Sequence, residues 1–274
     1  MNESGLANAP LGHDIRYPDH YDPALLFPIA REANRAALAP LPPWTGADIW
    51  TAYELSWLNP RGKPMVGTAR FVFPESSPCL IESKSLKLYL NSFTETRFDG
   101  TEAVRHLVEQ DLSHAAGAPV RVWLDRLNAN RSEVPQPLSG TNIDDLDVEI
   151  QHYQPVPGLL RCLPDAAVVD ETLVSDLLKS NCPVTGQPDW GSVQVRYRGR
   201  RIDPASLLQY IVSLRRHKEF HEHCVEQMYC DIWRACQPEW LLVYARYTRR
   251  GGLDINPWRA SSAIDVSLSR TPRQ

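Results

Sequence analysis

The residue with the most pointed chemistry in this chain is Cys182, in the turn Ser180-Asn181-Cys182-Pro183, with Gly186 and Pro188 closing the turn behind it. Free cysteines mostly pack as small hydrophobes, so the thiol alone does not specify a reaction. Its setting points to a nucleophile: it lies on a loop, and the nearby Lys179 offers a cation that favours thiolate. Asp189 lies across the same turn. There a carboxyl is either a solvated turn residue or a proton donor or acceptor for whatever the thiol attacks.

The densest titratable cluster is His217-Lys218-Glu219-Phe220-His221-Glu222-His223-Cys224. On a helix, His217, His221 and Cys224 fall at i, i+4 and i+7, a face able to bind a metal through nitrogen and sulfur. The run is not HExxH, and it reads equally as a charged helix face. A third reading gives His221 and Glu222 acid/base and hydrogen-bonding work in a pocket. Glu82-Ser83-Lys84-Ser85 opens a helix, with Ser83 or Ser85 as a cap and Glu82 suited to the dipole. Arg249-Arg250-Gly251-Gly252 can present backbone N–H groups and charge to an anion. There is no GxGxxG after a strand and no GxxxxGK[ST], so neither a Rossmann nor a P-loop site is supported.

The elements that must position these residues come in two copies. Ser85-Leu86-x-x-Tyr89-x-x-Ser92-Phe93 recurs as Ser206-Leu207-x-x-Tyr210-x-x-Ser213-Leu214, and Phe98 answers to Phe220 after a one-residue slip. Asn59-Pro60-x-Gly62-x-Pro64 resembles Cys182-Pro183-x-Thr185-Gly186-x-Pro188, so one copy carries asparagine where the other carries the cysteine. In the first copy, periodicity predicts strands near 53–57 and 67–73, helices near 84–93 and 101–115, and a strand at 120–126. In the second it predicts a strand at 190–198, helices over 204–216 and 218–236, and a strand at 241–247. The expected fold is α+β: tandem units, each an antiparallel sheet with two helices packed on one face. The expected organisation is a proline- and alanine-rich arm over 1–45 with one short helix near 23–38, a first module over 46–160, and a second over 161–274.

With 274 residues, the chain has room for one large domain or two small ones. A net charge of −4 gives no field drawing it to nucleic acid or an anionic membrane. No apolar run approaches the roughly 20 residues of a membrane span. Met1-Asn2-Glu3-Ser4 lacks the basic start of a signal peptide. Six cysteines without a CxxC pair read as free thiols in a reducing compartment, hence a cytoplasmic protein.

The stretch from Glu82 to Phe93 resembles the signature of the NADPH-dependent 7-cyano-7-deazaguanine reductases, and four further segments are similar to the same family. They are Leu177–Cys182, Gln187–Gly191, Glu219–Glu222 and Tyr244–Arg259. The likeness covers about residues 12 to 260, in the order of the long, two-module subfamily. It implies the tunnelling fold and the reduction of a nitrile to an aminomethyl group in queuosine biosynthesis, with NADPH as reductant. It further implies Cys182 as nucleophile, Asp189 as general acid and His221 as a further catalytic group. Ile81, Glu82, Ser83, His221 and Glu222 would surround the deazaguanine, and Ser83, Lys84, Arg250 and Gly251 would contact NADPH. The substrate is then a free base, no metal or direct nucleic-acid contact is expected, and a homodimer is the natural assembly. The rival readings are a zinc-dependent cyclohydrolase on the same fold and a non-catalytic purine- or pterin-binding module.

Overall fold

The computed structural model describes residues 18–127 and 134–274. The first seventeen residues of the expected arm, including Met1–Ser4, therefore lie outside it. Two compact units form. One gathers residues 18–36 and 47–127 with Arg249–Ile255; the other gathers Ala37–Gly46, Val134–Thr248 and Asn256–Gln274. Chain order and space thus part company at Arg249–Ile255, a short segment of the first unit between two stretches of the second.

In the first unit, strand β1 (Pro28–Ala30) is followed by helix α1 (Glu32–Ala37) and the long hairpin β2 (Thr45–Leu58) and β3 (Pro64–Pro74). A short β4 (Cys79–Ile81) pairs with β1 and leads into α2 (Ser83–Asn91), α3 (Thr101–Ala116) and β5 (Arg121–Arg126). Strands β2, β3 and β5 pair antiparallel in the order β5-β3-β2. Alternate residues Ala69, Phe71 and Phe73 of β3 face one side. On that side they meet Leu86, Tyr89 and Leu90 of α2 and Val104, Val108 and Leu112 of α3 at four-residue spacing.

The second unit repeats the plan. A two-residue β6 (Thr141–Asn142) lies parallel to β7 (Val168–Asn181), which forms a hairpin with β8 (Pro188–Arg200). Then come α4 (Pro204–Ser213), α5 (His221–Cys236), β9 (Trp240–Tyr247) and β10 (Leu253–Ala260), whose first three residues belong to the first unit. Here Val193, Val195 and Tyr197 of β8 alternate inward against Leu207, Tyr210, Ile211, Val225, Met228 and Ile232 of the helices. Apart from the short parallel β6, each unit is an antiparallel sheet with two helices on one face, as the sequence pattern predicts.

The repeated sequence pattern performs one local task twice. Ser85 Oγ donates to the Glu82 carbonyl and Ser206 Oγ to that of Asp203; Ser92 and Ser213 donate likewise to Tyr89 and Tyr210. The two tyrosine hydroxyls donate to carboxylates at 2.6 Å, Tyr89 to the half-buried Asp111 and Tyr210 to the buried Asp231. Outside the repeats, Ser92 accepts from Asp22 N–H and Ser213 from Val156 N–H, so residues near 22 and near 156 dock in the same way. Removing the Tyr210 hydroxyl (Tyr210→Phe) leaves Asp231, in its buried setting, with Gln227 as its one side-chain hydrogen-bond donor among the described residues. It is expected to lower stability by about 1.5–3 kcal/mol in urea unfolding.

The expected helix near 23–38 is instead a 3-10 turn at Pro23–Leu25, strand β1 and the six-residue α1. Phe27 N–H donates to Ser85 Oγ and Glu82 N–H to the Phe27 carbonyl, so this segment is tied to the start of α2 rather than coiling on itself. The helix expected from 218 starts at His221, because Phe220 is its N-cap with extended backbone (ψ 152°). Strands β7 and β10 lie outside the expected set. No helix among the described residues is long and apolar enough to cross a membrane.

Candidate active site

Cys182 directly follows β7 and opens the turn into β8. Its N–H donates to the Gln187 carbonyl (2.9 Å) and its carbonyl accepts from Gly186 N–H (3.0 Å). Gly186 has φ +69°, a left-handed conformation that suits a residue without a side chain. The thiol is buried, and among the described residues it has no hydrogen-bond partner. Lys179 does not serve it as the sequence reading expects. The ammonium donates to Asn181 Oδ1 (2.6 Å) and the Arg215 carbonyl (2.8 Å), and burial, then the Arg215 charge, pull its pKa down.

Asp189 is the second residue of β8, directly opposite Ser180 of β7. Directly opposed residues project to one face, so its carboxyl is carried toward the helix side at the end of the sheet. It is buried, and its Oδ1 lies 3.8 Å from His221 Nε2 at the first position of α5. The His221 ring packs edge-on against Tyr247 of β9, with centroids 4.1 Å apart at 90°. The Tyr247 hydroxyl in turn faces Ser180 and Cys224. Burial pushes the Cys224 thiol up to about 12, which leaves it an inert packing group. Glu222 is buried in the first turn of α5, where the helix dipole favours an acidic side chain.

His217 precedes the helix. The face that would join it to His221 and Cys224 does not form, and no cluster of three or more His, Cys, Asp or Glu among the described residues is arranged to hold a metal ion. His217 is held neutral, its pKa lowered to about 4 by burial alone.

The remaining predicted residues gather in the first unit. Glu82 is fully buried and caps α2 with both carboxylate oxygens, accepting from Lys84 N–H (2.8 Å) and Ser85 N–H (2.7 Å). Burial raises its pKa, while those two N–H groups and the charges of Arg250 and Lys84 oppose the rise. Ile81 is buried at the end of β4, and Ser83 is the first residue of α2. Gly251 has φ +63° and passes so close to Lys87 that a Cβ there would sit 3.0 Å from its Cδ. Cys182, Asp189 and His221 thus lie in one unit, and the capped carboxylate of Glu82 with its cationic neighbours lies in the other. The sequence reading misses Tyr247, whose role as a wall for His221 is visible only once β9 lies beside β8.

Comparison with known proteins matches two family models. Residues 17–124 match the N-terminal model of the nitrile reductase 7-cyano-7-deazaguanine reductase, and residues 188–265 match the QueF-like protein model. A Bordetella avium protein named NADPH-dependent 7-cyano-7-deazaguanine reductase is 59% identical over 95% of this chain and 96% of its own length. A Bordetella pertussis protein of the same name is 60% identical over 98% and 99%. Among solved structures, the archaeosine synthase QueF-Like in the apo form aligns with 37% of this chain and 99% of its own, at 17% identity and a TM-score of 0.31. At about 60% identity over nearly the whole length of both Bordetella proteins, the chain belongs to the 7-cyano-7-deazaguanine reductase family of nitrile reductases.

Proposed function

We propose that this protein reduces the nitrile of 7-cyano-7-deazaguanine to the aminomethyl group of 7-aminomethyl-7-deazaguanine, a four-electron reduction by NADPH in queuosine biosynthesis, through a thioimide on Cys182. The observation that carries the reading is a buried thiol, without a hydrogen-bond partner among the described residues, on the same hairpin as the buried Asp189 that meets His221, in a chain of this family. A nitrile carbon is a poor hydride acceptor. Once the Cys182 sulfur adds to it and nitrogen is protonated, the resulting C=N carbon is a good one. Asp189 is the proton donor, and His221, between Tyr247 and Asp189, holds that carboxyl in place and adds acid/base capacity. Enclosure of the thiol keeps water from the tethered intermediate.

Glu82 and Glu222 fit the guanine-like edge of the base. An ionised carboxylate only accepts, that edge presents N–H donors, and each Glu82 oxygen keeps a second lone pair beyond its cap bond. Ile81 supplies an apolar contact. NADPH would supply one hydride each time it binds, two molecules in turn per nitrile. The residues present suit it: Arg250 and Lys84 bring positive charge to the start of α2, Ser83 offers a hydroxyl, and the left-handed Gly251 leaves backbone N–H groups open to a phosphate. A free-base substrate, no nucleic-acid contact, a cytoplasmic homodimer and modules over 46–160 and 161–274 complete the proposal.

The test is stoichiometry with purified protein. Two NADPH should be oxidised per nitrile consumed, undiminished by chelators. Arg250→Ala should raise the NADPH KM about tenfold or more while kcat holds within a few-fold. One NADPH per nitrile, or chelator-sensitive turnover, would overturn the reading.

A further inference from the structure

The two units serve as internal controls for one another. In the first, Leu58 N–H donates to the Thr96 carbonyl and Phe98 N–H to the Leu58 carbonyl. In the second, Asn181 N–H donates to His217 and Glu219 N–H to Asn181. By this pattern Glu219, and not Phe220 as the sequence spacing indicates, stands where the first unit has Phe98. The Phe98 ring stacks on Phe93 at 5.3 Å. The hairpins correspond likewise. Gly62 N–H closes on Asn59 as Gly186 N–H closes on Cys182, and Met65 faces Trp57 as Asp189 faces Ser180. The sixteen-residue helices α3 and α5 begin at Thr101 and His221. The second unit therefore has a reactive group at four places where the first has Asn59, Met65, Thr101 and Phe98. Three of them, Cys182, Asp189 and His221, serve the proposed reaction. Glu219 is the fourth, a carboxyl at a position the sister unit fills with a packed ring, which is costly to bury without a use.

The chemistry has a place for it. Per turnover two hydrides add to carbon and two protons to nitrogen. One proton arrives as the sulfur–carbon bond forms and one with the first hydride; sulfur then leaves as thiolate, and the second hydride completes the amine. Asp189 holds one proton, so it must be reloaded while the intermediate is enclosed. We propose that Glu219, with His223, is the reserve that reloads the Asp189–His221 pair. Glu219 Oε2 lies 4.0 Å from His223 Nδ1, and its side chain keeps 16% exposure against 4% for Asp189, giving it access to protons from water. Burial pushes Glu219 up to about 7, so it carries a transferable proton near neutrality. The charges of Glu219, Asp189 and Asp231 all reach the same buried Cys224 and reinforce the effect of burial in keeping its thiol protonated. The titratable groups around them are His223 and Cys224 of α5, Asp231 further along the same helix, Asp189 of β8 and Tyr247 of β9.

The inference rests on the nitrile-reductase reading, which is checked first on wild-type protein. If that reading fails, wild type gives no adduct and oxidises no NADPH with the nitrile. Given an active wild type, Glu219→Gln should form the Cys182 adduct at the normal rate without NADPH, yet turn over about tenfold or more slowly. Wild-type kcat should fall as pH rises through about 7, where the reserve proton is lost, and the Gln variant should lack that limb. Glu219→Asp, which still carries a proton, should recover part of the rate. Three results would each overturn the inference: wild-type turnover and pH profile in Glu219→Gln, loss of the adduct along with turnover, or Glu219→Asp as slow as Glu219→Gln.

Discussion

Cys182→Ala should lose turnover and the covalent adduct together, the rate falling on the order of 10⁴-fold or more. The size reflects what the thiol does. Without it, hydride must add to an unactivated nitrile, and the buried cysteines of α5 offer no substitute. Cys224, Cys230 and Cys236 are buried, and burial holds each thiol at about 12. Unfolding is not a competing explanation, because the turn is closed by backbone bonds at Cys182 that alanine keeps. The melting temperature should therefore shift by no more than a few degrees. Intact mass after mixing with 7-cyano-7-deazaguanine, without NADPH, reads the outcome: wild type gains the mass of the base and Cys182→Ala does not. An adduct that persists in the variant, or turnover within tenfold of wild type, would remove Cys182 from the mechanism.

The parts of the fold legible in the sequence are those whose residues do a local job. Helices α2 and α4 announce themselves because serine and tyrosine at fixed spacing make the same backbone and carboxylate bonds in both copies. Strand β8 alternates cleanly because one of its faces is core. Strand β7 hides because Asp170, Glu171, Asp176 and Lys179 interrupt the apolar positions, and a register shift between Ser175 and Leu178 breaks the period of two. Strand β10 hides because Pro257 lies inside it, and proline ordinarily demotes a run from strand status. The segment before β2 reads as an irregular arm because its bonds are made to distant partners, Ser85, Ser92 and Glu82.

The candidate site divides along the same line. Cys182 and Asp189 are near neighbours across one turn, so a sequence can present them together. His221 joins them only when α5 docks beside β8, and the zinc-like spacing of His217 with His221 and Cys224 fails because the helix starts after Phe220. The correspondence of Glu219 with Phe98 is a matter of hydrogen-bond register. A one-residue difference in loop length conceals it from any comparison of spacings.

Asp189→Asn is the sharper test of the acid, because it keeps the shape of the side chain and most of its hydrogen-bonding capacity while removing the proton it can give. Alanine would also open a void beside Ser180 and His221, mixing packing with chemistry. The expected result is a fall in kcat of about 10²- to 10⁴-fold, the usual range for a general acid. The base should still bind within a few-fold by calorimetry, since the proposed edge contacts are to Glu82 and Glu222. Formation of the Cys182 adduct should slow as well, because the nitrile nitrogen must be protonated as sulfur adds. That last point separates the two carboxyls. Asp189→Asn delays the first covalent step, whereas Glu219→Gln leaves it intact and delays the hydride steps after it. If Asp189→Asn lost binding and turnover in equal measure, the carboxyl would be structural. If it formed the adduct at the wild-type rate, the first proton would have to come from another group, with His221, 3.8 Å away, next in line.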